Sequence, residues 1–427
     1  MNERKNSKRI IHLVGMGPGA PEKLTAETII ILKKAELIAG SVRMLEQARK
    51  VVPNLDEKTI LASFRNEEII QFIEDHPECT NIAILYSGNV GRYSGAESMR
   101  RRLMQEYMTF DLKMIPGISA STEFLTKLGI PEKDVLVESV HGRDVRLIPL
   151  IKTHRYVLVF LGEGDTVTET AKKLMEYGMN LVRITVGLRL SYPEEEIRVG
   201  SPREFVEQPV TGLAIALFEN PEARAEPKSY GIPDEEFTRG KVPMTKRDVR
   251  MLSLSRMELE EDSIVYDVGA GTGSVSVEIG QHIPYGTVYA IEREDEALAL
   301  LEENRKKFSV DNMEIVRGEA PQALEELPDP DAVFIGGSGG NLGAIIEAVL
   351  AKNPFAPIVI NTITLESMAL MVELKEQFRD NYDFEITEFA VTHLAEAGSV
   401  HMRRPDTPVM IIKIKAREGR QNGRDDR

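Results

Sequence analysis

Short apolar runs alternate with helical periodicity along most of this chain. In the first half the runs IIHLVGMG (10–17), NIAILYSG (81–88), DLKMIPG (111–117), RYVLVFLG (155–162), RITVGLRL (183–190) and GLAIALF (212–218) read as strands. Between several of them apolar residues recur at helical spacing, as in 27–35 and 165–177. The second half repeats the pattern with SIVYDVG, TVYAIE, MEIVRG, AVFIGG, PIVINT, EITEFAV and PVMIIKIKA. Strand–helix alternation of this kind predicts an α/β architecture.

The alternation breaks once. Residues 218–237, FENPEARAEPKSYGIPDEEF, hold three prolines and many charges and have no apolar period. A boundary near residue 225 follows, giving an N-terminal domain 1–220, a linker 221–232, a C-terminal domain 233–416 and a polar tail 417–427. A length of 427 residues exceeds what one core supports.

Composition excludes several classes. No apolar run approaches the length of a membrane span. The run after the basic start MNERKNSKR is too short and too glycine-rich for a signal peptide, so a cytoplasmic protein is expected. The single Cys79 forms no internal disulfide, and seven histidines without clustering predict no bound metal. The 17 methionines are assigned to cores. Residues 1–220 hold 29 Lys and Arg against 30 Asp and Glu, whereas residues 221–427 hold 24 against 38. A second half so acidic is ill suited to gripping a phosphate backbone, which argues against a nucleic-acid partner.

The stretch VYDVGAGTGSVSVE (265–278) carries the clearest chemistry. An apolar strand ends in Asp267, and Gly269, Gly271 and Gly273 follow at alternate positions before a helix. A turn free of Cβ atoms lets backbone approach a ligand. Twenty-five residues after Asp267 the next strand ends in Glu292, an acid placed to meet paired ribose hydroxyls. The G-x-G-x-G spacing resembles the class I S-adenosylmethionine methyltransferases. That resemblance implies a Rossmann-like parallel sheet ending in an antiparallel pair. It also implies an acid near the adenine after the third strand (Gly318, Glu319), and open space beside the methyl group at IGGSGGN (335–341), with Gly337, Ser338 or Asn341 near substrate.

In order along 231–415, GIPDEEF, VPMTKRDVR, DVGAGTGSVSVE, FIGGSGG, INTITLES and GSVHMRRPDTPV resemble the C15-methylating, decarboxylating domain of cobalamin biosynthesis. In the first half, GMGPGAP (15–21), SGNVGRYSG (87–95), MIPGISAS (114–121) and HGRD (141–144) each follow a strand. Small-residue loops after successive strands suggest a lined cleft. This set resembles the tetrapyrrole (class III) methyltransferase family, a fold of two α/β subdomains, and HGR with LRLSYPEEEI points to its C5-methylating corrin branch. The cofactor contacts it implies are Gly15, Gly17, Pro18, Gly19, Ser87, Gly88, Asn89, Pro116 and Gly117. Two positions depart from the family pattern: Ala20 and Asn89 each stand where it carries an acid.

Together the halves imply a bifunctional enzyme using two S-adenosylmethionine molecules, one per domain. It would methylate carbons 5 and 15 of a precorrin or cobalt-precorrin macrocycle and remove the carbon-12 acetate's carboxyl as carbon dioxide. Lys246, Arg250, Arg403 and Arg404 are candidates for holding peripheral carboxylates, with Thr245 and Asn361 as further substrate contacts. His401 is a candidate for proton transfer, and His141 and Arg143 are their N-terminal counterparts. Relatives of both halves imply a homo-oligomer. Two other readings fit parts of the pattern: a tRNA methyltransferase sharing the glycine turn, and an N-terminal half that only binds the corrinoid.

Overall fold

The structure is a computed structural model that describes residues 9–106, 110–140, 145–161, 166–210, 212, 214–224 and 230–417. The described residues form two compact units. One takes those within 1–144, 154–172 and 180–222, and the other takes those within 145–153, 173–179 and 223–427.

The first unit holds two five-stranded sheets. Strands β1 (Ile10–Gly15), β2 (Leu37–Gly40), β3 (Thr59–Ala62), β4 (Asn81–Tyr86) and β5 (Asp111–Ile115) pair in parallel in the order β3-β2-β4-β1-β5. The apolar run around Ile11, Leu13 and Val14 is continuous because both faces of β1 are covered: Val14 joins one buried cluster, and Ile11 and Leu13 join another. Strands β6 (Leu136–Ser139), β7 (Tyr156–Phe160), β8 (Arg183–Leu188), β9 (Glu196–Gly200) and β10 (Ala214–Glu219) form the second sheet in the order β6-β7-β10-β8-β9, antiparallel except for β6 with β7. Two α/β layers in succession match the two-subdomain expectation.

The second unit is built on a seven-stranded sheet, ordered β13-β12-β11-β14-β15-β19-β16. Its strands are β11 (Ile264–Val268), β12 (Thr287–Glu292), β13 (Met313–Arg317), β14 (Ala332–Ile335), β15 (Ile358–Thr362), β16 (Tyr382–Phe389) and β19 (Val409–Ala416). The first five run parallel, while β19 is antiparallel to both β15 and β16, which gives the expected antiparallel end. β17 (Thr392–Ala397) and β18 (Val400–Pro405) form a separate hairpin, which is not among the strands read from the sequence. Chain order reverses at β11, whose neighbours are β12 on one side and β14 on the other. A crevice opens at the carboxyl ends of strands at such a switch point. Among the described residues no helix is long and apolar enough to cross a membrane.

Candidate functional site

The crevice above β11 and β14 is a cleft of about 1060 Å³. Its floor is backbone. Gly269, at φ 72°, lies so close to the turn after β14 that a Cβ there would sit 2.5 Å from the Gly337 carbonyl oxygen. The two turns therefore meet main chain to main chain, with Gly336 N–H and Gly337 N–H donating to Val268 O at 3.0 and 3.2 Å, while Gly269 N–H and Ala270 N–H donate to Ile291 O on β12 at 3.0 and 3.1 Å. Gly271 lines the same cleft. Gly273 does not: it caps the helix Ser274–His282, and a Cβ there would strike Leu301, so its place in the motif answers to helix packing.

Acids at three strand ends surround this floor. Glu292 accepts from Gly271 N–H on one oxygen (2.9 Å) and from Arg293 N–H and Glu294 N–H on the other (2.7 and 3.0 Å). Three fixed donors orient its carboxylate and leave acceptor capacity for hydroxyl groups. Glu319 accepts from Arg293 Nη1 at 2.8 Å and from Asn341 Nδ2 at 3.2 Å, which ties three loops at the rim. Asp267 is 1 % exposed. The Ser276 hydroxyl donates to its Oδ2, and burial, with the Glu292 charge adding, pushes its carboxyl up to about 7.

Asp267 Oδ1, Thr272 Oγ1 and Asn361 Nδ2 are buried and have no hydrogen-bond partner among the described residues. All three residues line the cleft. An unpaired buried polar group costs roughly 1–3 kcal/mol, so three in one lining favour a ligand that brings partners.

Thr245, Lys246, Gly318, Glu319, Gly337, Ser338 and Asn361 also line the cleft. Lys246 is half exposed, with Nζ 3.9 Å from Asp234. Arg250 departs from its expected role. It is 0 % exposed. Its Nε–H donates to Glu278 Oε1 at 2.5 Å, Nη1 to Thr245 O at 2.6 Å and Asp234 at 3.3 Å, and Nη2 to Ile232 O at 2.5 Å. A guanidinium so committed has no fork to offer a substrate carboxylate; it fastens the segment leading to Lys246. His401, Arg403 and Arg404 lie on the exposed strand β18, away from the cleft lining. The next residues, Asp406 and Thr407, do line it, as do Thr272 and Arg293. The sequence reading missed these four, although Thr272 and Asp406–Thr407 sit inside motifs it had singled out. His393, also missed, stands 3.3 Å from Asp406 and 3.7 Å from Asp248.

In the first unit the loops after β1, β4 and β5 interlock. Gly17 N–H donates to Gly88 O at 3.1 Å and Gly88 N–H returns to Gly17 O at 3.0 Å. A Cβ on Gly15 would lie 2.6 Å from Gly117 N, and one on Gly117 would strike Gly88 O. Pro18 is buried in this loop, Gly19 packs under the Tyr192 ring, and Ser87 and Pro116 are exposed. Ala20 precedes the turn Pro21–Lys23 with no side-chain cap. Asn89 Oδ1 accepts from Gly91 N–H at 2.8 Å, closing its own loop. Beside it lies a cleft of about 690 Å³ lined by Arg92, Tyr93, Ser94, Arg100 and Arg101. Tyr93 takes φ 46°, and its hydroxyl donates to Val137 O at 2.7 Å. His141 and Arg143 lie outside the described residues.

Comparison with known proteins covers both units. Residues 235–416 match the family described as precorrin methyltransferase domain, and residues 10–205 match the tetrapyrrole (corrin/porphyrin) methylases. A probable cobalt-precorrin-6B C(15)-methyltransferase (decarboxylating) of Pyrobaculum calidifontis is 42% identical over 189 residues, 44% of this chain and 96% of that protein. A precorrin-6Y C(5,15)-methyltransferase [decarboxylating] of Sinorhizobium sp is 27% identical over 366 residues, 84% of this chain and 86% of that protein. The crystal structure of a precorrin-6y C5,15-methyltransferase from Geobacter metallireducens GS-15 is 38% identical, covering 44% of this chain and 99% of its own, with a TM-score of 0.42.

Proposed function

The chain belongs to the precorrin methyltransferase family, and on that premise we propose that it methylates a corrin-ring intermediate of cobalamin biosynthesis at two carbons, using S-adenosylmethionine. Residues 233–416 are assigned methylation at carbon 15 with decarboxylation of the carbon-12 acetate, and residues 1–220 methylation at carbon 5, with one cofactor molecule per domain. The observation that carries this reading is the set of unpartnered polar atoms of Asp267, Thr272 and Asn361 in a glycine-floored cleft at the sheet's switch point. The extent of the match to a C(5,15) relative, 84% of this chain, supports two active halves.

S-adenosylmethionine supplies an electrophilic methyl group on a sulfonium centre. The chain's part is alignment and electrostatics. Glu292, locked by three N–H donors, is assigned the ribose hydroxyls, and Glu319 the adenine side. The bare floor at Gly269 and Gly337 lets the reacting groups approach closely. Lys246, a half-exposed cation of this lining, is assigned a peripheral carboxylate. Loss of carbon dioxide breaks one carbon–carbon bond, the electron pair enters the conjugated ring, and the resulting methyl carbon takes up one proton. In the first unit the smaller cleft is lined by Arg92, Arg100 and Arg101 with Glu97; Arg92 pairs with Glu132 and Arg101 with Glu97, so Arg100 is assigned a ring carboxylate.

A second reading keeps the C-terminal chemistry and leaves the N-terminal half as a corrinoid-binding module. The absence of a carboxyl group at Ala20 and Asn89 favours it. Mass spectrometry of the product formed from S-adenosylmethionine and precorrin-6B, with and without bound cobalt, decides. Two added methyl groups with loss of carbon dioxide support the bifunctional enzyme and identify its ring. One methyl with loss of carbon dioxide supports the second reading, and an unchanged ring overturns both.

A further inference from the structure

We propose that cofactor capture in the C-terminal cleft is proton-linked: Asp267 carries a proton in the empty cleft and releases it as the cationic cofactor docks, so that its carboxylate forms only beside a bound cation. The proposal rests on the S-adenosylmethionine reading of this cleft.

The geometry makes the charge unwelcome without a ligand. Asp267 is the penultimate residue of β11, the strand at the switch point of the sheet, and is buried. The Ser276 hydroxyl donates to one oxygen, the Ser276 backbone N–H also favours the ionised form, and Oδ1 has no hydrogen-bond partner among the described residues. An ionised carboxylate supported from one residue only, with its second oxygen bare in a dry interior, is costly, and the proton is the cheapest way to remove that cost. The surrounding charges do not help. Glu292 on β12 opposes ionisation. Glu278, on the same helix as Ser276, is already neutralised by Arg250. β14 presents only Ala332–Ile335, all apolar. Lys246, Arg293, Glu319 and Asp406 line the cleft without bonding to Asp267.

Burial accordingly holds this carboxyl near 7, close to working pH. S-adenosylmethionine brings a sulfonium and an ammonium group into the cleft, and a nearby cation in a low-dielectric site favours the ionised acid. The sign follows from linkage. Below about pH 7 the empty site binds more protons than the filled one, so docking releases a proton and affinity rises with pH. Above that the acid is already ionised and the dependence ends. The slope below the transition approaches about tenfold in affinity per pH unit.

The test is calorimetric titration of the full chain with S-adenosylmethionine, in buffers of differing ionisation enthalpy, at about pH 6 and about pH 8.5. The cofactor's own α-amino group, with an ordinary pKa of about 7.7–8.0, titrates in the same range. The count is therefore taken as native chain minus Asp267→Asn: close to one extra proton released at the lower pH and almost none at the higher. Asp267→Asn should bind with this release abolished, and the difference between it and the native chain cancels any contribution of the N-terminal half. Ser276→Ala removes the side-chain donor that favours the ionised form and keeps the backbone N–H, so it should move the transition to higher pH; it keeps the test sharp if Asp267→Asn folds poorly. Binding at the lower pH with the same proton count in the native chain as in Asp267→Asn overturns the proposal and leaves the cofactor reading standing. No binding at the C-terminal site overturns both.

Discussion

Arg250 Nε donates to Glu278 Oε1 at 2.5 Å, and neither side chain is more than 1 % exposed. Glu278 also accepts from Gly231 N–H at 2.7 Å and Ile232 N–H at 3.1 Å, so one ion pair clamps the entry segment of the second unit to its central helix. Removing one partner strands a buried charge. Arg250→Met or Glu278→Gln is expected to cost about 3–5 kcal/mol in chemical denaturation, and the double variant Arg250→Met/Glu278→Met to recover much of it. An Arg250→Ala variant of native stability with weakened substrate binding would return Arg250 to the carboxylate-binding role.

Asp267 makes folding stability depend on pH. Its acid is raised from 3.8 to about 7 in the folded state, so between those values the folded chain binds more protons than the unfolded one. Stability contributed by this site is complete below about pH 4 and falls as pH rises to about 7, by on the order of 4 kcal/mol. Asp267→Asn should flatten that fall in ligand-free denaturation measured across the window. An unchanged slope would mean Asp267 is ionised in the empty cleft.

Gly269 and Gly337 face each other but tolerate change differently. Gly269→Ala forces a side chain into left-handed backbone and against Gly337 O, and should lose about 2 kcal/mol or more together with carbon-15 methylation. A Cβ on Gly337 would meet only Gly269 Cα, at 3.8 Å. Gly337→Ala should therefore keep native stability to within about 0.5 kcal/mol while raising KM for cofactor or ring. Wild-type kinetics in Gly337→Ala would remove this turn from the reaction site.

Asn89→Asp restores a carboxylate where the N-terminal half lacks one. Its Oδ1 can go on accepting from Gly91 N–H, so folding should be unaffected. The ratio of carbon-5 to carbon-15 methylation, read by mass spectrometry, is expected to rise. A fall would show that the amide is the form this loop requires.

Lys246 and the β18 arginines divide a role that the sequence left shared among them. Lys246→Ala should raise the KM for the ring about tenfold, the scale of one lost charge-assisted contact. Arg403→Ala and Arg404→Ala, on exposed β18, should change the carbon-15 step by less than about twofold. The reverse pattern would place the hairpin at the reaction site.

The strands of the second unit were readable because each long apolar run is one strand and each strand end carries its acid or glycine, while the antiparallel end of the sheet came from the family resemblance. Asp267, Glu292, Glu319 and Gly337 share a cleft for that reason alone. Shorter elements hid. Leu37–Gly40 is four residues long and wholly buried, so it shows no alternation and merges with the helix before it. Val400–Pro405 is exposed at every position, and a strand with no buried face gives no hydrophobic contrast to read. Arg250 misled for a different reason. Its partner Glu278 is 28 residues away, and nothing local distinguishes a guanidinium that will be buried from one that will meet substrate.

The interlock of Gly15, Gly17, Gly88 and Gly117 restricts how the N-terminal half can diverge. A side chain on Gly15 or Gly117 would strike the main chain of a neighbouring loop, and Gly17 and Gly88 hold left-handed backbone (φ 70° and 65°), so these positions have few neutral alternatives. Selectivity for one ring over another has to be written one shell outward, in residues such as Asn89, Arg92 and Tyr93 that the floor holds in place. A rigid base beneath a variable rim lets new specificities arise without risk to the scaffold, and the departure from the family pattern at Asn89 falls on that rim.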